Sequence, residues 1–443
     1  MIEAVRRKGG TAVSVAAGVL FLTALPPYRP TVDFDILLFG GIVVDGTGTP
    51  GRTADVGIAG DRVTAIGDLA GRTATRIVDA RGLVVAPGFI DMLGWSQHTI
   101  LVDNRGVSKV TQGVTTEITG EGWSPAPTNP NTIQGDSAQF AAWQLDIDWR
   151  DLDGWFRRLE RSGTPFNLAS FVGATTVRQY VIGDERRAPT RAELARMVAL
   201  VDSAMMQGAL GLSTSLVYAP AFYARTDEIV ALARAAGRHG GVYASHIRNE
   251  GPKIRQALAE AFAIGRAADV PVEVWHLKLS GRANWGQMPA ILALFDAARA
   301  RGQRVGANSY PYVASATSLH AAIPAWAHAG GKEALLRRLR DPATRSRIKR
   351  QMAGRSGSQE NFSRGAGGLN GIMVLGVLDS TLRRYQGRRI AEIAQSEGKD
   401  PYDALLDLVL ADRANTGAAY FTMSEDDVRA AIRAPWVGVG MDF

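Results

Sequence analysis

An α/β protein, a (β/α)8 TIM barrel preceded by a small β unit, is the fold class the sequence predicts, and three observations carry it. From Asp33 to about Arg81, short apolar alternations are broken by turn dipeptides such as Asp45-Gly46 and Gly60-Asp61, the pattern of a small all-β unit. After Pro87, short β-branched runs alternate with helical patterns, as repeated βα units around a parallel sheet require. Those runs number about eight, the count that closes a barrel. The expected boundaries are 32–85 for the β unit and 86–443 for the barrel.

Ahead of both lies "MIEAVRRKGGTAVSVAAGVLFLTALPPYRP", where Arg6, Arg7 and Lys8 precede an apolar stretch from Thr11 to Leu25. That is the layout of a secretory signal, and it is short for a membrane span. Residues 1–31 are therefore expected to export the chain to the periplasm or beyond, as a cleaved signal or as an uncleaved membrane anchor; a buried helix is the weaker alternative. The barrel strands are expected at 83–91, 113–120, 166–173, 209–216, 241–247, 272–279, 304–310 and 436–442. "TRAE" at 190–193 is a capping box opening a helix through Met206, and a second helix starts at Thr226 and stops at Gly240. "KIRQALAEAFAIGRAA" and "MPAILALFDAARARG" supply two more, and a long insertion, 313–433, separates strands seven and eight. An open doubly wound sheet would share this alternation, but no G-x-G-x-x-G follows the first strand.

With 46% hydrophobic and 21% charged residues among 443, the chain can bury a large core. The net charge of +7 comes from scattered arginines rather than a basic block interleaved with aromatics, which argues against nucleic acid as a partner. There is no cysteine. Disulfides, thiolate nucleophiles and Cys-type zinc sites are thereby excluded, leaving His, Asp, Glu or a modified Lys to hold a metal.

In a barrel the C-terminal strand ends share one face. Glu121, His246, His276 and Asp442 stand at the ends of strands two, five, six and eight. Two imidazoles and two carboxylates suit a divalent cation, with one carboxylate free to shuttle protons. A histidine near a strand end is more often a hydrogen-bonded structural residue than a ligand, so the weight rests on the combination: of six histidines, two end adjacent predicted strands. His98, His239, His320 and His328 look ordinary by comparison.

The segments "VVAPGFID", "GVTTEITGEGWSPAP", "GALGLSTSLVYAPAFYARTDEIVALARAA", "YASHIRNEG", "VEVWHLKLSG" and "SYPYVAS" resemble the amidohydrolase superfamily, and within it the D-aminoacylase group of N-acyl-D-amino-acid deacylases. The resemblance runs from about Asp33 to Phe443. It implies a barrel with a β-sandwich built from both chain termini, zinc as cofactor, and a small N-acyl amino acid as substrate. It implies metal ligands at His246 and His276, with Glu121 at or beside the strand-two ligand position, and Asp442 as the catalytic acid-base. The family's His-x-His pair after strand one falls on Leu93 and Trp95, neither of which binds a metal. One zinc on Glu121, His246 and His276 is therefore expected. Asp91 then either supports the site from behind or caps the turn after the strand.

The expected chemistry is hydrolysis of a linear amide, with Asp442 taking a proton from water and returning it to the leaving amine. Tyr310 is a candidate oxyanion donor, Lys278 a candidate for the substrate carboxylate as in the family, and Arg248, Tyr218 and Ser315 are candidate pocket residues. Hydrolysis of a cyclic amide or of a D-residue dipeptide, or a silent barrel that only binds such ligands, are the alternatives. Because family members continue beyond the last barrel strand, the chain is expected to be truncated at its C-terminus and poorly stable alone, with sheet edges uncovered.

Overall fold

The computed structural model describes residues 32–354 and 359–442. The expected export segment, 1–31, lies outside the described residues. The chain divides into two compact units after Pro87.

In the first unit, alternating apolar residues build one five-stranded sheet: Phe34–Val43, Arg52–Ala59, Arg62–Gly67, Ala74–Asp79 and Val84–Val85. The first strand is central, antiparallel to the second and parallel to the fourth and fifth. Val43, Ala54 and Val56 are its buried face.

In the second unit the parallel strands follow chain order around a barrel. They are Phe89–Asp91, Val114–Thr119, a third strand split into Asn167–Ser170 and Val172–Gly173, then Gly211–Ser215, Val242–His246, Val272–Val274, Val305–Ser309 and Val437–Val439. The backbone N–H of Met92 donates to the carbonyl of Val439 at 3.1 Å and that of Asp442 to Leu93 at 2.8 Å, so strand eight closes on strand one. Leu93, Phe171, Ala244 and Trp275 pack inside, as a barrel interior filled by side chains requires. Outside, the helices bury their apolar stripes in one continuous core. Thr190 and Glu193 exchange the hydrogen bonds of a capping box at the start of helix Arg191–Met206.

The connection between strands seven and eight has its own core, including Leu319, Leu335, Leu336, Ile348, Ile372, Leu405 and Tyr420. It carries an antiparallel sheet in which Gly417–Tyr420 lies between Ser315–Ser318 and Ile372–Gly376. The expected insertion boundary needs one correction. Helix Glu425–Ile432 falls inside 313–433 but packs on helix Met288–Ala300 and on strands seven and eight. It is a barrel helix, because parallel neighbours need a crossover that returns over the sheet. Among the described residues no helix is long and apolar enough to cross a membrane.

Candidate active site

Glu121 follows strand two by a tight turn at Gly122, whose φ of +63° is left-handed and whose missing Cβ leaves room for the Ser215 hydroxyl, 2.5 Å from where that carbon would lie. The turn aims the Glu121 carboxylate across the barrel mouth. His246 ends strand five, and His276 follows strand six with φ of +38°, its N–H held by Asn308 Oδ1 at 2.6 Å. Asp442, after strand eight, also adopts a left-handed φ, +58°. Such backbone is uncommon for residues other than glycine, persists where surrounding contacts enforce it, and clusters at functional sites.

The first three side chains meet. Glu121 Oε1 is 2.8 Å from His246 Nδ1 and 3.2 Å from His276 Nε2, and the two imidazoles cross at 84° with centroids 4.4 Å apart. One ligand atom from each lies within 4.8 Å of the others, and all three residues are buried. A tetrahedral zinc with bonds of about 2.0–2.1 Å separates its ligand atoms by about 3.3 Å, so the triad is close to a metal-binding arrangement. Burial opposes ionisation of Glu121, yet His276 and His246 hold its carboxyl well below the usual range. Burial and Lys278 disfavour a charged His276, but Glu250, Asp442 and Glu121 outweigh them and raise it to about 10. Such concentrated negative potential is what a cation would exploit.

Glu250, which the sequence reading passed over, ties the cluster together. Its Oε1 lies 3.0 Å from His276 Nδ1 and 2.6 Å from Lys278 Nζ, and its Oε2 is 3.5 Å from His246 Nε2. A carboxylate behind Nδ1 fixes the tautomer that leaves Nε2 free for a metal. Glu360, from the insertion, accepts the Glu250 N–H at 2.6 Å. The signal for Glu250 was present in "SHIRNEG", four residues beyond His246; nothing in sequence pointed to Glu360.

Asp442 lines the same cavity as the triad, about 460 Å³ in volume. Burial, with His276 opposing and Glu121 assisting, raises its carboxyl to about 7. Its Oδ1 accepts a hydrogen bond from the Trp95 indole at 3.2 Å. Trp95 thus occupies a position facing the site, while Leu93 is buried against Gly440, where a Cβ would come within 2.9 Å of the Leu93 backbone nitrogen. Asp91 takes no part in the cavity. Its Oδ2 pairs with Lys109 at 2.5 Å and its Oδ1 accepts from the N–H groups of Met441 at 2.8 Å and Leu93 at 3.2 Å, so it caps the turn and joins strand ends one and eight.

Tyr218 and Ser315 line the cavity, Tyr218 edge-on to His246 with centroids 5.1 Å apart. Lys278 also lines it, but its ammonium donates to Glu250 and, at 3.1 Å, to the His276 carbonyl, and it lies 2.7 Å from His276 Nδ1. Tyr310 packs edge-on to His276 at 6.1 Å but is not among the residues lining the cavity, and among the described residues its buried hydroxyl has no hydrogen-bond partner. Arg248 is a correction. It turns away into an ion pair with Glu260 at 2.8 Å and onto the carbonyls of Phe222 and Ala224, both at 3.1 Å. Continued strand alternation would have set Arg248 on the same face as His246, but the strand ends at His246 and the turn that follows lets Glu260 and the two carbonyls draw the guanidinium away.

The chain is similar to proteins of known activity over most of its length. D-aminoacylase of Alcaligenes xylosoxydans xylosoxydans is 36% identical over 418 residues, covering 92% of this chain and 74% of the relative. The chain belongs to the D-aminoacylase family of amidohydrolases. The N-acyl-D-glutamate deacylase of the same organism is 38% identical over 294 residues, 64% of this chain and 58% of that protein. Among solved structures, a D-aminoacylase crystal structure matches with TM-score 0.72 and 35% identity, over 92% of this chain and 75% of the other. N-acyl-D-glutamate deacylase from Bordetella bronchiseptica, complexed with zinc and a phosphonate mimic of the tetrahedral intermediate, matches with TM-score 0.75 and 31% identity, over 92% and 76%. No family model matches the chain.

Proposed function

We propose that this chain is a mono-zinc hydrolase of linear amides that deacylates N-acyl-D-amino acids, releasing a carboxylate and a free D-amino acid. The observation that carries it is the convergence of Glu121, His246 and His276, beside Asp442, on one cavity in a chain of this family. Those three residues fit zinc by donor type, burial and spacing. The ion, when bound, supplies Lewis-acid polarisation of the amide carbonyl and acidifies a water molecule.

The protein's own groups do the rest. Asp442 accepts the proton of the attacking water and passes it to the departing amine nitrogen, and the Trp95 indole holds the carboxylate in place for both transfers. Glu250 orients His276 through Nδ1. The Tyr310 hydroxyl, beside His276 and unpartnered among the described residues, is our candidate donor for the negative charge that develops on the carbonyl oxygen. Tyr218, Ser315 and the charge of Lys278 shape the wall that receives the amino-acid half.

The test combines metal analysis with a panel of N-acyl-D- and N-acyl-L-amino acids. About one zinc per chain is expected, with D-selective hydrolysis lost on chelation and reduced by about 10³-fold or more in Asp442→Asn. Hydrolysis that survives full chelation, or that prefers L-substrates, would overturn the proposal.

A further inference from the structure

Beside the catalytic cavity lies a second chamber, of about 580 Å³, that no step of the reaction uses. The two share Trp95, Trp123 and His320 in their walls. Trp95 thus borders both cavities, and its indole N–H bonds to Asp442. Part of the second chamber's wall is aromatic: Phe140 packs 5.1 Å from His98 and 6.4 Å from Trp143, with Ile133 and Ile147 also lining it.

The charged groups in its lining carry an acidic excess, which disfavours a carboxylate. Asp136 and Asp184 line it, and the ammonium of Lys332 lies 3.4 Å from Asp136 and 3.2 Å from Asn415 Oδ1. An N-acyl amino acid has two halves about its scissile bond. Its carboxylate end is repelled by this chamber, which leaves the acyl end as the half that enters it.

Size then sets the class of acyl group. An acetyl methyl would leave nearly all of a 580 Å³ chamber unfilled, forgoing the apolar burial and close contacts that a well-filled pocket provides. Resting on the deacylase reading, we infer that the chamber is an acyl subsite and that the preferred substrates carry a bulky apolar acyl group, a medium alkyl chain or an arylacetyl group, in place of acetyl. Phe140 and Trp143 are then specificity-determining residues, entering from helix Ser137–Ala142 and the turn after it.

The experiment compares kcat/KM of the zinc-loaded chain for N-acetyl-, N-octanoyl- and N-phenylacetyl-D-amino acids of one side chain. The bulky substrates should exceed acetyl by about tenfold or more, the discrimination that one or two apolar groups provide. Trp143→Ala, and Gln139→Trp, which fills the chamber from the same wall, should each bring that ratio down toward one. Equal rates or a preference for acetyl would overturn the subsite while leaving the deacylase reading intact. Ratios unchanged in both variants would place the acyl group elsewhere. Failure to hydrolyse any N-acyl-D-amino acid would overturn both.

Discussion

The indole of Trp95 donates a single hydrogen bond to a buried carboxylate, Asp442. A hydrogen bond to a charged group contributes about 1.5–3 kcal/mol, and here it also determines where the carboxylate sits. Trp95→Phe keeps the ring and removes the donor. We predict a fall in kcat of about 10- to 100-fold with little change in KM, measured by steady-state kinetics on the zinc-loaded protein; a KM effect without a kcat effect would assign Trp95 to substrate contact alone. At this scale the sequence was partly legible. Polar residues ending predicted strands singled out Glu121, His246, His276 and Asp442, because a barrel gathers strand ends. Arg248 misled, since its rank one residue past Ile247 does not say which way it turns, and Glu260 on the following helix claims it.

Strand one and its neighbours are joined by a buried ionic cluster. Lys109 pairs with Asp91 at 2.5 Å and lies 3.6 Å from Glu117, whose Oε1 also accepts the Ser96 N–H and whose Oε2 accepts the Ser96 hydroxyl, each at 2.8 Å. Burial raises the Glu117 carboxyl even with Lys109 beside it. Lys109→Met would strand two buried carboxylates, and breaking such a pair is destabilising by about 3–5 kcal/mol. Denaturant unfolding should show that loss, with activity at low temperature falling less than stability. Elements of this kind were well read where period and caps speak, as in Arg191–Met206 and Thr226–Gly237. The barrel helix between strands seven and eight, Glu425–Ile432, was missed because its local marks, a Ser424 cap and an acidic first turn, do not say what it packs on; what assigns it to the barrel is the surface it covers.

For the molecule as a whole, pH stability will be shaped by carboxyls that folding leaves without partners. Burial raises Glu273, on strand six, to about 8, with no compensating charge. Its folded value lies above its unfolded one, so the protonated form is the one the fold accepts. That contribution is fully present below about pH 4.5 and is lost as pH rises through 8. Glu273→Gln should therefore raise the Tm by a margin that grows from pH 5 to pH 9; a constant margin would mean that Glu273 titrates normally. The division after Pro87 was visible as a change of texture between β alternation and βα repeats.

By itself the sequence determined the barrel, its strand count, the absence of thiol chemistry and the strand ends whose polar residues converge on one cavity, because periodicity and strand polarity are local properties of the chain. Only the tertiary structure decided that Glu250 and Glu360 back the site, that Trp95 meets Asp442, that Lys278 is engaged by its neighbours, and that a second chamber adjoins the first. Each of those depends on side chains brought together from strands, loops and insertion far apart in sequence, and no local pattern records such meetings.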